Sequence, residues 1–314
     1  MVENRHPVVD RLLRSPGYEQ AWTALGQASG SDLSSLLLGA FADRVRDRTP
    51  ADLVAQYQSD RFVGAAQADA LELARLHVRA LELASTRYQA VALAPVVPLG
   101  THAVLGDIPQ NNVVSTIRMT EVTADPTNSL AFEAAARRSD LMAMKARSSE
   151  AVHLVAAHRV LRAQHFEGPR SFAHFSLLGL VSAGRDQGNY RFEIESVLEH
   201  LRVLVAIVES ATAAPIRIRL SAFDEVLGAG CDEIAAALVS DTTSCELWPD
   251  REHARGYYNS IAFNLSVKLG DEVFDIGDGG DVDWTQTLLQ SRKERLVIGG
   301  LGLERLAMLV AEQS

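Results

Sequence analysis

The stretch IGGLGLERLAML, residues 298–309, is the most specific indication of the fold in this chain. Glycines at 299, 300 and 302 lead directly into an amphipathic helical pattern that carries Arg305. Glycine lets a backbone approach a ligand closely, and the free amides at the start of a helix favour an anion. An arginine in the first turns can add a bidentate phosphate contact. The segment predicts a phosphate-binding junction, although such junctions also occur in proteins without a phosphate site.

A second arginine-rich segment, VLRAQHFEGPRSFAHFSLLG, covers residues 160–179. Two apolar, β-rich runs flank a polar loop that contains Gly-Pro, and this pattern predicts a hairpin. The polar side chains around the loop are those of Arg162, Gln164, His165 and Arg170, and Phe172 and Phe175 follow on the return strand. Arginines over a triphosphate and an aromatic face under a purine would form a nucleotide site. A plain hairpin with surface arginines is the alternative.

Three further segments supply polar, aromatic and glycine residues. EVTADPTNSLAFEAAARR, residues 121–138, places Asp125 and Thr127 at the start of a helical pattern. A carboxylate and a hydroxyl are suitable acceptors for an ammonium group, but Asp-Pro-Thr is also typical of a helix N-cap. EHARGYYNSIAF (252–263) and IGDGGDVDW (276–284) contribute Tyr257, Tyr258, Gly279 and Gly280.

In their order and spacing these segments resemble the class II aminoacyl-tRNA synthetases, and the resemblance is closest to the histidyl type. Residues 298–309 resemble motif 3, which implies that Arg305 contacts the γ-phosphate of ATP. Residues 160–179 resemble motif 2, in which Arg162 would grip the α-phosphate. The stretch APVVPLG, residues 94–100, resembles the motif 1 strand of the dimer interface, which implies a homodimer.

The motif 2 resemblance also assigns roles to the rest of the hairpin. It implies that Arg170 reaches toward the phosphates and that Phe175 stacks on the adenine. Gln164 stands where the family usually has a glutamate, so catalytic competence is open.

On the amino-acid side, the resemblance implies that Asp125 and Thr127 hold the substrate's α-ammonium group. Tyr257 and Tyr258 match the tyrosines of the histidine pocket. The arginine that precedes them in the family corresponds to His253 without a gap, or to Arg255 with a two-residue gap. The glycines at 279 and 280 would line the pocket floor. Asp278 and Asp281 replace the family's neutral and basic residues, which implies an altered side-chain pocket.

Composition narrows the class of protein. The 314 residues carry a net charge of −10, and 47% of them are hydrophobic. No run approaches the ~20 apolar residues of a membrane span, and the N-terminus lacks the pattern of a secretory signal. Two cysteines without metal-ligand spacing fit a reducing cytoplasm. Because an acidic balance disfavours a long nucleic-acid interface, tRNA is not the expected partner, and the cysteines and the N-terminus favour a cytoplasmic protein.

The distribution of helical and β-rich patterns along the chain predicts its domain organisation. Residues 1–87 have helical patterns and no catalytic cluster, so we expect an N-terminal helical extension that caps the protein or supports a dimer. Residues 88–314 alternate β-rich runs and helices, and we expect an α+β domain with an antiparallel β-sheet flanked by helices. Because nine residues follow Arg305, we expect no counterpart of the family's C-terminal anticodon-binding domain.

These expectations lead to one preferred function and two alternatives. The preferred function is activation of an amino acid or similar small carboxylate by ATP, with Mg²⁺ bridging the phosphates and a carrier protein, small molecule or tRNA as acceptor. The first alternative is a regulatory protein that resembles the ATP phosphoribosyltransferase regulatory subunit. The second is a structural or interaction paralogue without a working pocket.

Overall fold

The computed structural model describes residues 7–15, 17–164, 172–249, 251 and 256–311. Its strands are β1 (Gln89–Ala90), β2 (Val96–Pro98), β3 (Thr120–Val122), β4 (Val152–Leu161), β5 (His174–Arg185), β6 (Ile216–Ala222), β7 (Thr243–Leu247), β8 (Ile261–Leu269), β9 (Glu272–Val282) and β10 (Glu294–Gly302). Its helices are α1 (Pro7–Leu13), α2 (Tyr18–Gln27), α3 (Gly30–Val45), α4 (Pro50–Ser59), α5 (Ala70–Ala84), α6 (Thr101–Gly106), α7 (Pro126–Ala143), α8 (Arg191–Ala211), α9 (Gly228–Leu238), α10 (Trp284–Leu288) and α11 (Leu303–Ala311).

Eight of these strands form one sheet in the order β1-β4-β5-β10-β9-β8-β6-β7. The six central strands pair antiparallel, whereas the two edge pairs, β1 with β4 and β6 with β7, are parallel. Strands β2 and β3 form a separate antiparallel pair. The predicted α+β fold is therefore confirmed, with a sheet that is mixed because its two edges are parallel.

The two faces of the sheet have different cores. Along β10, Val297 and Leu301 join a cluster with α5, α8, α9 and α11, and we call this side the back face. Leu296 and Ile298 point the other way and pack with α7, and this side is the front face. Since successive side chains of a strand alternate, Gly300 and Gly302 lie on the front face.

Several local predictions are confirmed. Residues 160–179 contain the end of β4 and the start of β5, which pair from Val152 with Ala183 to Leu161 with His174. The runs NSIAFNLSVKLG and EVFDIG, with Gly270-Asp271 between them, predict a hairpin; β8 and β9 form it, and Gly270 has the positive φ of +60° that its turn requires.

The glycines of residues 298–309 lie directly before helix α11, as predicted, and they form the end of strand β10, to which β9 and β5 hydrogen-bond on both sides. One local prediction is wrong. The β-rich run VVSTIRMTEV, residues 113–122, predicts a single strand, but only β3 is extended, and the Thr116 amide donates back to the Thr120 carbonyl at 2.8 Å in a tight turn.

The first four helices differ from the rest of the chain in their burial. Helices α1 to α4 contain no buried residue among those described, and they expose large apolar side chains such as Trp22 and Phe41. In contrast, α5 buries Leu73, Ala80 and Ala84 against the back-face core. The domain division at residue 87 stays a prediction. No helix in the described ranges is long and apolar enough to cross a membrane.

Candidate active site

The front face is open beside α7, at the end of the sheet where β4 and β10 end and β5 begins. Val160 pairs with Phe175, and Leu177 pairs with Gly302. Arg162 extends the β4–β5 pairing by one step, since its amide donates to the Ala173 carbonyl at 2.7 Å. The register therefore brings the predicted motif 2 and motif 3 segments to the same end of the sheet.

Arg162 lies on the front face, with its side chain about one-third exposed. Its Nε donates to the Ala124 carbonyl at 3.0 Å, and its Nη2 lies 3.4 Å from Oδ2 of Asp125. Its guanidinium carbon is 5.2 Å from the centre of the Phe175 ring, within the range of a cation–π contact. The arginine, the aromatic ring and the acid predicted from three separate segments therefore meet at one place.

Arg305 lies on the same face. A Cβ built on Gly302 would be 3.5 Å from the Cβ of Arg305, and Gly302 is a front-face position. The side chain is exposed, and its Nη1 donates to the Asp275 carbonyl of β9 at 2.7 Å. The front face has space at Gly300, because a Cβ built there would meet no atom closer than 3.7 Å.

Asp125 and Thr127 start α7. Asp125 is the N-cap: its Oδ1 accepts from the Thr127 amide at 2.9 Å and from the Thr127 hydroxyl at 2.7 Å. The geometry is therefore compatible with both interpretations made from the sequence, an ammonium-binding pair and a helix N-cap. The cap uses Oδ1, while Oδ2 faces Arg162.

A buried network under this segment holds it in place. His102 is fully buried, and its Nδ1 lies 2.6 Å from Oε1 of Glu121. Its Nε2 accepts from the Ala124 amide at 3.0 Å, so the hydrogen bonds assign the neutral Nδ1–H tautomer. Burial of Glu121 opposes its ionisation, but bonds from Gln110 and from the amides of His102 and Gly100 outweigh burial and lower the pKa of Glu121.

Tyr257 and Tyr258 precede β8 and form an edge-to-face pair on the front face, with ring centres 5.0 Å apart. Burial, together with the Asp125 carboxylate, raises the pKa of Tyr257. Tyr258 is buried and donates its hydroxyl to Oδ1 of Asp278. Burial and Asp278 raise the pKa of Tyr258 far above its ordinary value, so it remains a donor.

The second oxygen of Asp278 is bound by a residue that the sequence did not single out. Arg251 is 1% exposed, and its Nη2 donates to Oδ2 of Asp278 at 2.6 Å. Its Nη1 donates to the Phe263 carbonyl at 3.1 Å, and its guanidinium lies 5.4 Å from the Tyr258 ring. No local signal in the sequence identifies Arg251, because the Asp278 carboxylate that pairs with it is 42% exposed and comes from a strand distant in sequence.

The two predicted pocket glycines face opposite sides. Gly279 points to the back face, where a Cβ would collide with the Phe263 ring and lie 2.5 Å from the Ile298 carbonyl. Gly280 points to the front face, where a Cβ would lie 2.7 Å from Cδ1 of Tyr258. Only Gly280 is therefore placed to shape the floor beside the tyrosine pair.

Asp281 has a structural position. Its carboxylate accepts from the Ser260 hydroxyl at 2.6 Å and from the amides of Ser260 and Ile261 at 2.9 and 2.7 Å. These bonds fix the start of β8 directly after the tyrosine pair.

Arg170, His165, His253 and Arg255 lie outside the described residues. Gln164 is exposed, and its carbonyl accepts a hydrogen bond from Arg61.

Fold and site together define the architecture of the chain: it is the catalytic fold of the class II aminoacyl-tRNA synthetases. Neither a family model nor a curated protein sequence matches the chain. Solved structures of the histidyl type do match it. Apo histidyl-tRNA synthetase from S. aureus superposes with a TM-score of 0.56 and 15% identity, over 77% of this chain and 66% of that one, just under two thirds of its length.

Two shorter proteins show the same fold. A histidine–tRNA ligase subunit from Alicyclobacillus acidocaldarius has a TM-score of 0.57 and 15% identity, over 85% of this chain and 98% of that chain. An ATP phosphoribosyltransferase regulatory subunit/histidyl-tRNA synthetase from Bacillus halodurans has a TM-score of 0.55 and 12% identity, over 79% and 82%. At these identities the likeness establishes the fold.

Proposed function

We propose that this protein activates an amino acid or a similar small carboxylate with ATP, forming an acyl-adenylate, and that it does not carry out standard tRNA charging. The observation that supports this most directly is the meeting of Arg162, Phe175 and Asp125 on the front face, with Arg305 at the same end of the sheet. Two cations, an aromatic ring and an acid are the groups that a triphosphate, a purine and an ammonium need.

In the proposed step, an oxygen of the substrate carboxylate attacks the α-phosphorus of ATP. The bond from that phosphorus to the bridging oxygen breaks, and pyrophosphate leaves with the electron pair. Arg162 stabilises charge on the α-phosphate, while Arg305 and Arg170 hold the outer phosphates. Asp125 and Thr127 orient the ammonium group of the substrate.

Arg162 and Arg305 are both placed to donate hydrogen bonds to a nucleotide. Each donates to a backbone carbonyl, Arg162 to Ala124 and Arg305 to Asp275, and each side chain is partly or fully exposed. A neutral carbonyl is a weaker acceptor than a phosphate oxygen, so a bound triphosphate would compete for these donors. The Arg162 guanidinium lies above the Phe175 ring. When a nucleotide binds, the ring would exchange this contact for stacking on the adenine.

The donor set fits a Mg²⁺ ion held mainly by phosphates. Among the residues described, no group of three or more His, Cys, Asp or Glu side chains could hold a metal. Mg²⁺ commonly needs only one or two carboxylates besides phosphates and water. The side chain of Asp275 is 59% exposed, and its backbone carbonyl accepts from Arg305, so it is our choice for that carboxylate. When bound, Mg²⁺ would neutralise phosphate charge.

The regulatory alternative has its own support. Asp278, on the pocket floor, is paired with Arg251 and Tyr258, and Gln164 replaces an acid of the motif 2 pattern. A pocket whose charges are already paired suits a ligand sensor better than a catalyst. One solved structure with this fold is itself described as a regulatory subunit/histidyl-tRNA synthetase.

We further propose a cytoplasmic homodimer that pairs through the 94–100 region, with residues 1–87 as an extension and 88–314 as the catalytic domain. A carrier protein or small molecule is the preferred acceptor, because the chain is acidic.

The decisive experiment is ATP–pyrophosphate exchange with each amino acid in turn. Amino-acid-dependent exchange that is lost in Arg162→Ala supports adenylation. If no amino acid supports exchange while histidine raises the melting temperature, the regulatory function replaces it. Arg202→Ala is the matched control, because Arg202 is a half-exposed helical arginine on α8 that pairs with Glu199.

A further inference from the structure

The turn formed by residues 60–64 connects the N-terminal helices to the candidate active site. Arg61 donates through Nη2 to the Ala163 carbonyl and through Nη1 to the Gln164 carbonyl at 3.2 Å. From the other strand, Nε2 of His174 donates to the Gly64 carbonyl at 2.7 Å. One five-residue turn is therefore tied to both strands of the β4–β5 hairpin.

The tied residues are the immediate neighbours of the groups proposed to hold ATP. Ala163 follows Arg162, and His174 precedes Phe175. Because neighbouring side chains of a strand point to opposite faces, His174 turns away from the front face while Phe175 turns into it. The contacts of the turn thus fix the backbone and leave the site-facing side chains accessible.

The turn is itself ordered by local bonds. Oδ1 of Asp60 accepts from the Phe62 amide at 2.9 Å, and Oδ2 accepts from the side chain of Gln56 at 3.1 Å. The bond from the Phe62 amide lowers the pKa of Asp60, so the acceptor stays ionised at neutral pH. The Arg61 guanidinium also lies 4.4 Å from the centre of the Phe62 ring. These contacts within the turn order Arg61 in addition to its bonds to the β4–β5 hairpin.

We propose that residues 60–64 act as a brace for the nucleotide-binding hairpin and that Arg61 is a positioning residue for Arg162 and Phe175. The expected effect on ATP rests on the proposed function, whereas the effect on the hairpin does not. The hairpin ends are also bonded through the backbone, for example by the Ala163 amide to the Asn112 carbonyl at 3.0 Å. Small displacements of groups that hold a reacting substrate have large effects on rate and affinity.

The test uses the full chain with Arg61→Ala, Arg61→Lys and the control Arg46→Ala. Arg46 is an exposed arginine of the same extension, and its ion pair with Asp43, at 3.1 Å, does not involve the residues that order the turn. Hydrogen–deuterium exchange reads the amides of Arg162 and Ala163, both hydrogen-bonded in this structure. Calorimetry reads the affinity for MgATP.

For Arg61→Ala we expect exchange at these amides to rise about tenfold and MgATP affinity to fall about tenfold, as for the loss of a charge-assisted donor pair. Arg61→Lys should recover part of both effects, since lysine supplies one donor but not the fork. Arg46→Ala should change neither, and exchange in α8 should stay constant in all variants.

Each outcome separates the brace from the adenylation proposal. Unchanged exchange at Arg162 and Ala163 in Arg61→Ala overturns the brace, whatever happens to ATP. Equal effects of Arg46→Ala also overturn it, because the cause would then be general loosening of the extension. If the wild-type protein does not bind MgATP but Arg61→Ala still loosens the hairpin, the proposed function fails and the brace stands. His174→Ala removes the second tie and should loosen the same peptides.

Discussion

Helix α7, which carries Asp125 at its start, is anchored to the sheet by a buried ion pair that offers a sharp test of the packing. Arg138 is fully buried and binds both carboxylate oxygens of Glu294, at 2.8 and 2.9 Å. It also donates to the Glu150 carbonyl and, at 2.9 Å, to the Ser148 carbonyl. We expect Arg138→Met to destabilise the protein strongly, because it leaves the buried Glu294 carboxylate without its cation.

The expected loss in free energy of unfolding depends on which buried groups each substitution leaves without a partner. Breaking a buried pair by removing one partner costs about 3–5 kcal/mol. Arg138→Met should lie near the upper end, since among the described residues Glu294 accepts side-chain bonds only from Arg138. Glu294→Leu should lie near the lower end, because the guanidinium keeps its two carbonyl acceptors. The double variant should cost less than about 2 kcal/mol, as an apolar pair restores neutrality.

Urea unfolding at pH 7, followed by circular dichroism, measures these free energies in a double-mutant cycle. Arg147→Met is the control: Arg147 pairs with Glu150 at 2.7 Å, but its side chain is 55% exposed, so its loss should leave the free energy of unfolding nearly unchanged. A cost below about 1 kcal/mol for Arg138→Met, or single effects that simply add in the double variant, would refute this account of the buried pair.

Other substitutions probe the site and the core. Arg305→Ala should weaken MgATP binding by about 10–100-fold, as expected for a charged hydrogen bond, without lowering the melting temperature; calorimetry and a thermal scan check both. Gly280→Ala should destabilise the protein by about 1–3 kcal/mol because its Cβ would meet Tyr258 at 2.7 Å, whereas Gly300→Ala has open space and should be tolerated in the same denaturant assay. Burial lowers the pKa of His200 to about 3, below an unfolded value near 6.5, so its contribution is present above pH 6.5 and is lost as pH falls toward 3. Between pH 7 and pH 5 the loss in free energy of unfolding should be about 2 kcal/mol smaller in His200→Gln than in the wild type, as urea unfolding at the two pH values measures.

The candidate site was predictable where a short segment carries its own signal. The arginine, glycine and aromatic spacing of residues 160–179 and 298–309 indicated which side chains to examine, and the sheet register brings Arg162 and Phe175 together. The N-cap at Asp125 was also visible as Asp-Pro-Thr before a helical pattern. These features are local because turns, caps and strand alternation depend on neighbours in sequence.

Contacts between distant segments were not predictable in this way. Arg251 reads as one more surface arginine in a polar stretch until the fold brings β9 beside it and buries it against Asp278. Arg61 gives no signal either, because its acceptors are backbone carbonyls about a hundred residues away, and every residue has a carbonyl. The direction of Gly279 and Gly280 depended on strand phase, which a run of glycines cannot reveal.

The hairpins and the helix starts follow from the sequence because each depends on interactions within a few residues, and the order of the motifs along the chain indicated the class of fold. Long-range packing settles which face of the sheet is open, places Gly299, Gly300 and Gly302 in a strand, and pairs Asp278 with Arg251. It also brings Arg61 of the N-terminal extension to the β4–β5 hairpin. The physical reason is that burial makes partners obligatory but leaves no mark on the local pattern of the residues that supply them.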